Sequence, residues 1–169
     1  MDPLYHAPPE LSPLPRGLLE TTHERHWDMT QLVSGLPDEA RDWRPAPFSA
    51  SLAGLVLHIV DVETHVARLA LGEPEPDWTG GNGSRMHESA DCEALLTAID
   101  RADELLKGAL SRMSDGRLGE PHSDHEQTIG EAVVGDLDHV AMHHGQLQLT
   151  RHLWEAEHPE WPSLYQHWR

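Results

Sequence analysis

The sequence feature that most constrains the fold is a continuous apolar stripe between residues 51 and 72. Its side chains recur every three or four positions, at Leu52, Leu55, Val56, Ile59, Val62, Val66, Leu69 and Ala70. This spacing places all of them on one face of an α-helix. Ser49 or Ser51 can cap the start of the helix, and Gly72 followed by Pro74 ends it. This is the clearest helix in the sequence.

Three further segments show the same apolar spacing and are also predicted to be helices. Ser12-Pro13 is typical of a helix start, and Ser89 is a second candidate cap. Thr128 and Glu131 have the spacing of a capping box, in which each side chain bonds the backbone of the other residue. The predicted boundaries are residues 12–37, 89–110 and 128–154.

Four amphipathic helices without any alternating strand pattern predict an all-α fold, a four-helix bundle. The connections 37–50 and 72–88 are long for a simple up-and-down bundle, which favours crossover connections. The 169 residues are predicted to form one domain. Its parts are an N-terminal arm (1–11), the bundle (about 12–156) and a C-terminal tail (157–169).

Charge and composition exclude several classes of function. The chain has 12 Lys and Arg against 29 Asp and Glu, a net charge of −17, so binding to DNA or RNA is not expected. No apolar run is long enough to span a membrane, and the N-terminus does not resemble a signal peptide. With Cys92 as the only cysteine, no intrachain disulfide is possible. We expect a cytoplasmic protein that binds neither nucleic acid nor membranes.

The 14 histidines include a candidate metal-binding pair. His139 and His143 are one helical turn apart, so both imidazoles leave the same face, at the edge of the apolar stripe. About one pair at this spacing arises by chance in such a sequence, so a core or surface pair is the alternative. His58 lies within the most apolar helix, where it needs a partner or must point to solvent. We expect His58 to meet the pair across the bundle and leave an open fourth position, as in catalytic zinc sites.

Two segments, DWRPAPFSASLAGLVLHIVDVETHV and LDHVAMHHGQLQLTRHLW, resemble the DinB/YfiT-like family of metalloenzymes. The resemblance covers about residues 15–155. The positions that carry it are Trp43, Pro45, Ser51, His58, His139, His143, Gly145 and Gln146. One departure is His144, which stands where the family commonly has arginine.

The resemblance implies a four-helix bundle with a divalent metal held by His58, His139 and His143. Some relatives are S-transferases that activate a low-molecular-weight thiol, and others are hydrolases. We favour thiol-dependent transfer to a small-molecule substrate. The alternatives are a metal-dependent hydrolase and a non-catalytic metal- or ligand-binding dimeric bundle in a stress response. Zinc is the first choice of metal and nickel the second, because three imidazoles suit several divalent ions.

Several other residues could contribute to such a site. Asp61 and Asp136 are each one turn from a proposed ligand, so either could orient an imidazole or act as a base; a solvated charge is the alternative. His26 falls on the apolar face of the first helix, as a core residue or as a partner of the site. The tryptophans at 78, 154, 161 and 168 are candidates to cover the end of the bundle or to line a homodimer interface.

Overall fold

The structure is a computed structural model that describes residues 5–73, 85–122 and 127–161. The helices are α1 (Pro13–Val33), α2 (Asp38–Asp42), α3 (Leu52–Leu71), α4 (Cys92–Leu110), α5 (Asp115–Leu118) and α6 (Ile129–Glu157). Within these ranges there is no β-strand, only one isolated bridge between Pro121 and Thr128. The predicted all-α fold is confirmed. None of the described helices has the length and apolarity needed to cross a membrane.

The four long helices form a bundle in the cyclic order α1, α4, α3, α6. α3 packs against α4 and α6, and α1 packs against the same two helices. α1 and α3 are therefore diagonal to each other, as are α4 and α6, so the chain crosses the bundle at residues 34–51 and 111–128. The prediction placed a crossover correctly at 37–50. The other connection expected to cross, 72–88, does not, because it joins the neighbouring helices α3 and α4.

The helix ends follow the capping signals with some corrections. Ser51 caps α3 by accepting from the backbone N–H of Gly54, and the Thr128–Glu131 capping box is present. α4 starts after Asp91, which caps it, because the hydroxyl of Ser89 instead donates to Asp42. α1 ends at Val33 rather than at Pro37.

Two apolar clusters fill the bundle, and a layer of buried ionisable side chains separates them. One cluster includes Met29, Ile59, Ile99 and Val140, and the other includes Leu19, Val66, Leu106 and Val133. On each long helix, buried ionisable residues lie between the contributions to these two clusters. We call this set the polar layer; it consists of His23, His26, Glu63, Asp103 and Asp136.

The turn at residues 85–87 lies directly against the start of α3. The backbone N–H of Ser51 donates to the carbonyl oxygen of Met86. A Cβ atom at Gly54 would overlap the backbone of Met86, so only glycine allows this approach. The turn is thereby held over the half of α3 that carries His58.

Of the four tryptophans proposed to cover the end of the bundle or to line a homodimer interface, two lie within the described residues. Trp154 is fully buried in the first apolar cluster, and its ring stacks on His158 with a centroid separation of 4.5 Å. Trp161 packs against the same cluster. Trp78 and Trp168 lie outside the described residues. The beginning of the tail therefore covers one end of the bundle.

Candidate metal centre

The contact between α3 and α6 brings His58, His139 and His143 together. The Nε2 atoms of His58 and His139 are 3.0 Å apart. One nitrogen of each of the three rings lies within 4.8 Å of the corresponding nitrogens of the other two. Imidazoles bound tetrahedrally to Zn²⁺ at 2.0–2.1 Å place their nitrogens about 3.3 Å apart. The cluster is therefore close to the geometry that a divalent ion requires.

The surroundings of His58 and His139 favour their neutral imidazoles, the form that binds a metal ion. His58 and His143 are buried, and His139 is half-buried. Burial lowers the pKa of His58, and the neighbouring His143 lowers it further. Burial, followed by the nearby His143 and His58, lowers the pKa of His139 to about 4. Both rings therefore carry lone pairs, and not positive charges, at neutral pH.

Gln146 determines which nitrogen of His143 faces the cluster. The Nδ1–H of His143 donates to the Oε1 of Gln146, over 2.8 Å. The lone pair of a neutral His143 ring is then on Nε2. Such second partners orient metal-binding histidines and fix their tautomer. Sequence reasoning had noted Gln146 only through the family resemblance, but its position three residues after His143 on one helix was a usable signal.

A cavity of about 310 Å³ adjoins the cluster on the side of His143. Its wall on α6 consists of His143, Gln146, Leu149 and Thr150. Leu55 of α3 and Met86 of the 85–87 turn form part of the opposite wall. A molecule in this cavity would lie next to one of the three candidate ligands.

The two aspartates proposed to orient an imidazole or to act as a base lie in different surroundings. Asp61 is half-buried at the surface, with its Oδ1 atom 3.9 Å from Nη1 of Arg85. Asp136 is buried in the polar layer. Burial raises the pKa of Asp136 well above its usual value, the carboxylate of Glu63 raises it further, and His26 partly opposes them. Its surroundings thus disfavour the charged form of Asp136.

The remaining histidines named from the sequence face away from the cluster. The Nε2 atom of His144 is 3.9 Å from Asp28 of α1, so this ring lies between α1 and α6. His26 belongs to the polar layer, where its Nδ1–H donates to Asp103 and its Nε2–H donates to Glu63.

Sequence reasoning did not single out Glu63 and Asp103, the acidic members of the polar layer that hold His26. Asp103 accepts from both His23 and His26, at 2.9 and 3.0 Å, and lies 2.7 Å from the Nζ atom of Lys107. Burial alone would raise the pKa of Asp103, but these three donors lower it below its usual range. Their burial could have been predicted from the sequence, because Glu63 and Asp103 both fall within the apolar stripes of their helices.

The chain is similar to known proteins in sequence and in fold. The sequence profile of the DinB superfamily matches residues 22–147, about three quarters of the chain, including all three clustered histidines. The chain belongs to the DinB superfamily. No curated protein matches this DinB member in sequence.

The fold of this DinB protein also agrees with a solved structure. It is similar to the crystal structure of a conserved protein from Enterococcus faecalis, with a TM-score of 0.69 and 18% sequence identity. The match covers 80% of this chain and 94% of the other chain. At this identity the likeness concerns the fold alone. The DinB fold and the three-histidine cluster together are compatible with a metal-binding protein.

Proposed function

We propose that this DinB protein is a metal-dependent enzyme whose divalent ion is held by His58, His139 and His143. The observation that carries the proposal is the convergence of three imidazoles. Among the described residues, no fourth His, Cys, Asp or Glu completes the cluster. Three protein ligands with an open position characterise catalytic metal sites, whereas structural sites are closed by four. The set of three ligands therefore favours a catalytic metal site over a site that only binds a metal.

The reaction that we propose is the transfer of a low-molecular-weight thiol to a small electrophilic substrate. A divalent ion at this site, with zinc preferred and nickel second, would act as a Lewis acid and lower the pKa of a thiol. The chain's own part is positioning. Gln146 holds His143 in the required tautomer, and burial favours the neutral form of His58 by lowering its pKa.

The same open position would also serve hydrolysis, so the reaction must be separated by experiment. N-acetylcysteine and 1-chloro-2,4-dinitrobenzene provide a balanced test: the thiol loses its proton to buffer, an S–C bond forms, and chloride leaves. We expect zinc-loaded protein to accelerate this reaction and the His139→Ala variant to be inactive. Hydrolysis of p-nitrophenyl acetate without thiol transfer would favour the hydrolase instead.

Metal binding itself is tested by elemental analysis. The protein is purified without a His tag, because its 14 histidines would take up nickel from a column. We expect about one metal ion per chain in the wild type and none in His139→Ala, with an unchanged helical circular dichroism spectrum. His152→Ala is the matched control, since His152 is an exposed histidine on the same helix. Equal metal content in His139→Ala and His152→Ala would refute the site.

The cytoplasmic location, the homodimer and the extent of the single domain stay predictions. Sedimentation velocity of the untagged protein tests the homodimer directly.

A further inference from the structure

The cavity beside His143 has walls of a distinctive chemistry. Leu55, Met86 and Leu149 contribute apolar surface from three different parts of the chain. Besides the imidazole of His143, its polar wall groups are uncharged: the amide of Gln146 and the hydroxyls of Ser49 and Thr150. Among the described residues that line it, none is Lys, Arg, Asp or Glu. Such walls match a ligand with an apolar body and no charge.

The rest of the molecule points the same way. An anionic ligand such as a phosphate ester would need basic partners in the wall, and its approach would be opposed by the net charge of −17. A cationic ligand would need a carboxylate or the face of a Trp, Tyr or Phe ring in the wall, and the described lining residues include none of these. Its volume of about 310 Å³ lies at the lower end of the range for small-molecule sites.

We propose that this cavity binds the uncharged, apolar body of a small organic substrate whose reacting end lies at the three-histidine cluster. The inference rests on the proposed function for the reacting end, whereas the binding of the body depends on the cavity alone. Leu149 is the most useful residue for a test. It lines the cavity and is 58% exposed, so a polar replacement removes apolar wall without disturbing the core.

The primary test compares three hydroxamates that share one metal-binding end. The probes are acetohydroxamate, benzohydroxamate and phosphonoacetohydroxamate, titrated into zinc-loaded protein by calorimetry. We expect benzohydroxamate to bind at least about tenfold more tightly than acetohydroxamate, because its ring is buried in the cavity. Equal affinities of these two would overturn the proposal. Tightest binding of the phosphonate would overturn it as well, since it would show an anion site.

A matched pair of variants locates the effect. Leu149→Gln should reduce the preference for benzohydroxamate to about threefold or less. Leu153→Gln should leave it unchanged, because Leu153 is an exposed leucine one turn further along α6 that does not line the cavity. The same reduction in both variants, or in neither, would contradict the assignment of this cavity.

A second probe keeps the inference testable if the protein binds no metal. N-phenyl-1-naphthylamine is uncharged, does not need a metal, and fluoresces when it enters an apolar site. We expect metal-free wild type and Leu153→Gln to enhance its fluorescence, and Leu149→Gln to do so several-fold less. Absence of metal together with this pattern would refute the metal centre and support the cavity. Normal metal content without this fluorescence pattern would support the metal centre and refute the proposed role of the cavity.

Discussion

The Nε2 atom of His26 lies 2.9 Å from the carboxylate of Glu63, and neither side chain is exposed to solvent. The other ring nitrogen of His26 donates to Asp103. Burial lowers the pKa of His26, but Glu63 and Asp103 outweigh this effect and raise it to about 10. His26 is thus an imidazolium that links α1 to α3 and α4 in the middle of the bundle.

Replacement of His26 should therefore destabilise the protein strongly. His26→Gln leaves the carboxylate of Glu63 buried without its positive partner and removes one of the three donors to Asp103, at an expected cost of about 3–5 kcal/mol. The measurement is urea unfolding of metal-free protein at pH 7. His87→Gln, at an exposed position of the 85–87 turn, should change the free energy of unfolding by less than about 0.5 kcal/mol. A loss below about 1 kcal/mol in His26→Gln would contradict the ionic description of the polar layer.

The same group predicts how stability depends on pH. The pKa of His26 is higher in the folded chain than its ordinary 6.5, so its contribution is complete below pH 6.5 and is lost as the pH rises towards 10. The pKa of Asp136 is also raised, so its contribution to stability is likewise lost as the pH rises, starting from its ordinary value of 3.8. The pKa of Asp103 is lowered, so its contribution is lost instead as the pH falls below about 3.8.

We therefore expect the difference in unfolding free energy between wild type and His26→Gln to narrow steadily between about pH 6.5 and pH 10. The experiment is a series of urea titrations of both proteins across this range, with EDTA present throughout. A difference that stays constant with pH would show that His26 is neutral in the folded protein.

The polar layer also shows where sequence reasoning reaches its limit. The apolar spacing predicted the four long helices, and the family resemblance pointed to the three clustered histidines. Glu63 falls within the apolar stripe of α3 and Asp61 lies on the opposite face, but the stripe does not show which partner would hold a carboxylate in the core. Glu63 is fully buried and Asp61 is at the surface. The partner of Glu63 is His26 of α1, 37 residues away in sequence, and apolar spacing within one helix cannot identify it.

Apolar spacing also failed to predict the two short helices and the choice of crossover connections, for a different reason. α2 and α5 have 5 and 4 residues, too few for an apolar period to show. The choice of crossover connection depends on which helices become neighbours, and loop length is only weakly related to it. The 111–128 connection crosses the bundle although it is similar in length to 72–91, which does not.

Gln146 should tune the metal affinity of the cluster. Gln146→Leu removes the acceptor for the Nδ1–H of His143, and we expect the affinity for zinc to fall about 10- to 100-fold. Competition with a chromogenic chelator measures this change. Gln146→Glu keeps an acceptor at the same place and should retain most of the affinity. Equal affinities of the Leu variant and the wild type would show that His143 needs no partner.

Gly54 should tolerate no side chain. Gly54→Ala places a Cβ atom into the backbone of Met86, and we expect a loss of about 1–3 kcal/mol as the 85–87 turn shifts. Gly108→Ala is the control, since nothing lies within 4 Å of its added Cβ, and removing a helical glycine should stabilise by roughly 0.5–1 kcal/mol. Thermal unfolding of both variants tests the contrast. A neutral Gly54→Ala would mean that the turn does not rest on α3.

The crossing connections have a consequence for assembly. His58 and His139 are 81 residues apart in sequence, and all of α4 lies between them. Closing so long a loop costs entropy before any contact repays it, so we expect the histidines to meet late in folding. An ion that binds only the finished cluster stabilises the complete bundle and no fragment of it. Metal uptake would then report that synthesis has reached α6 and that all four long helices have come together.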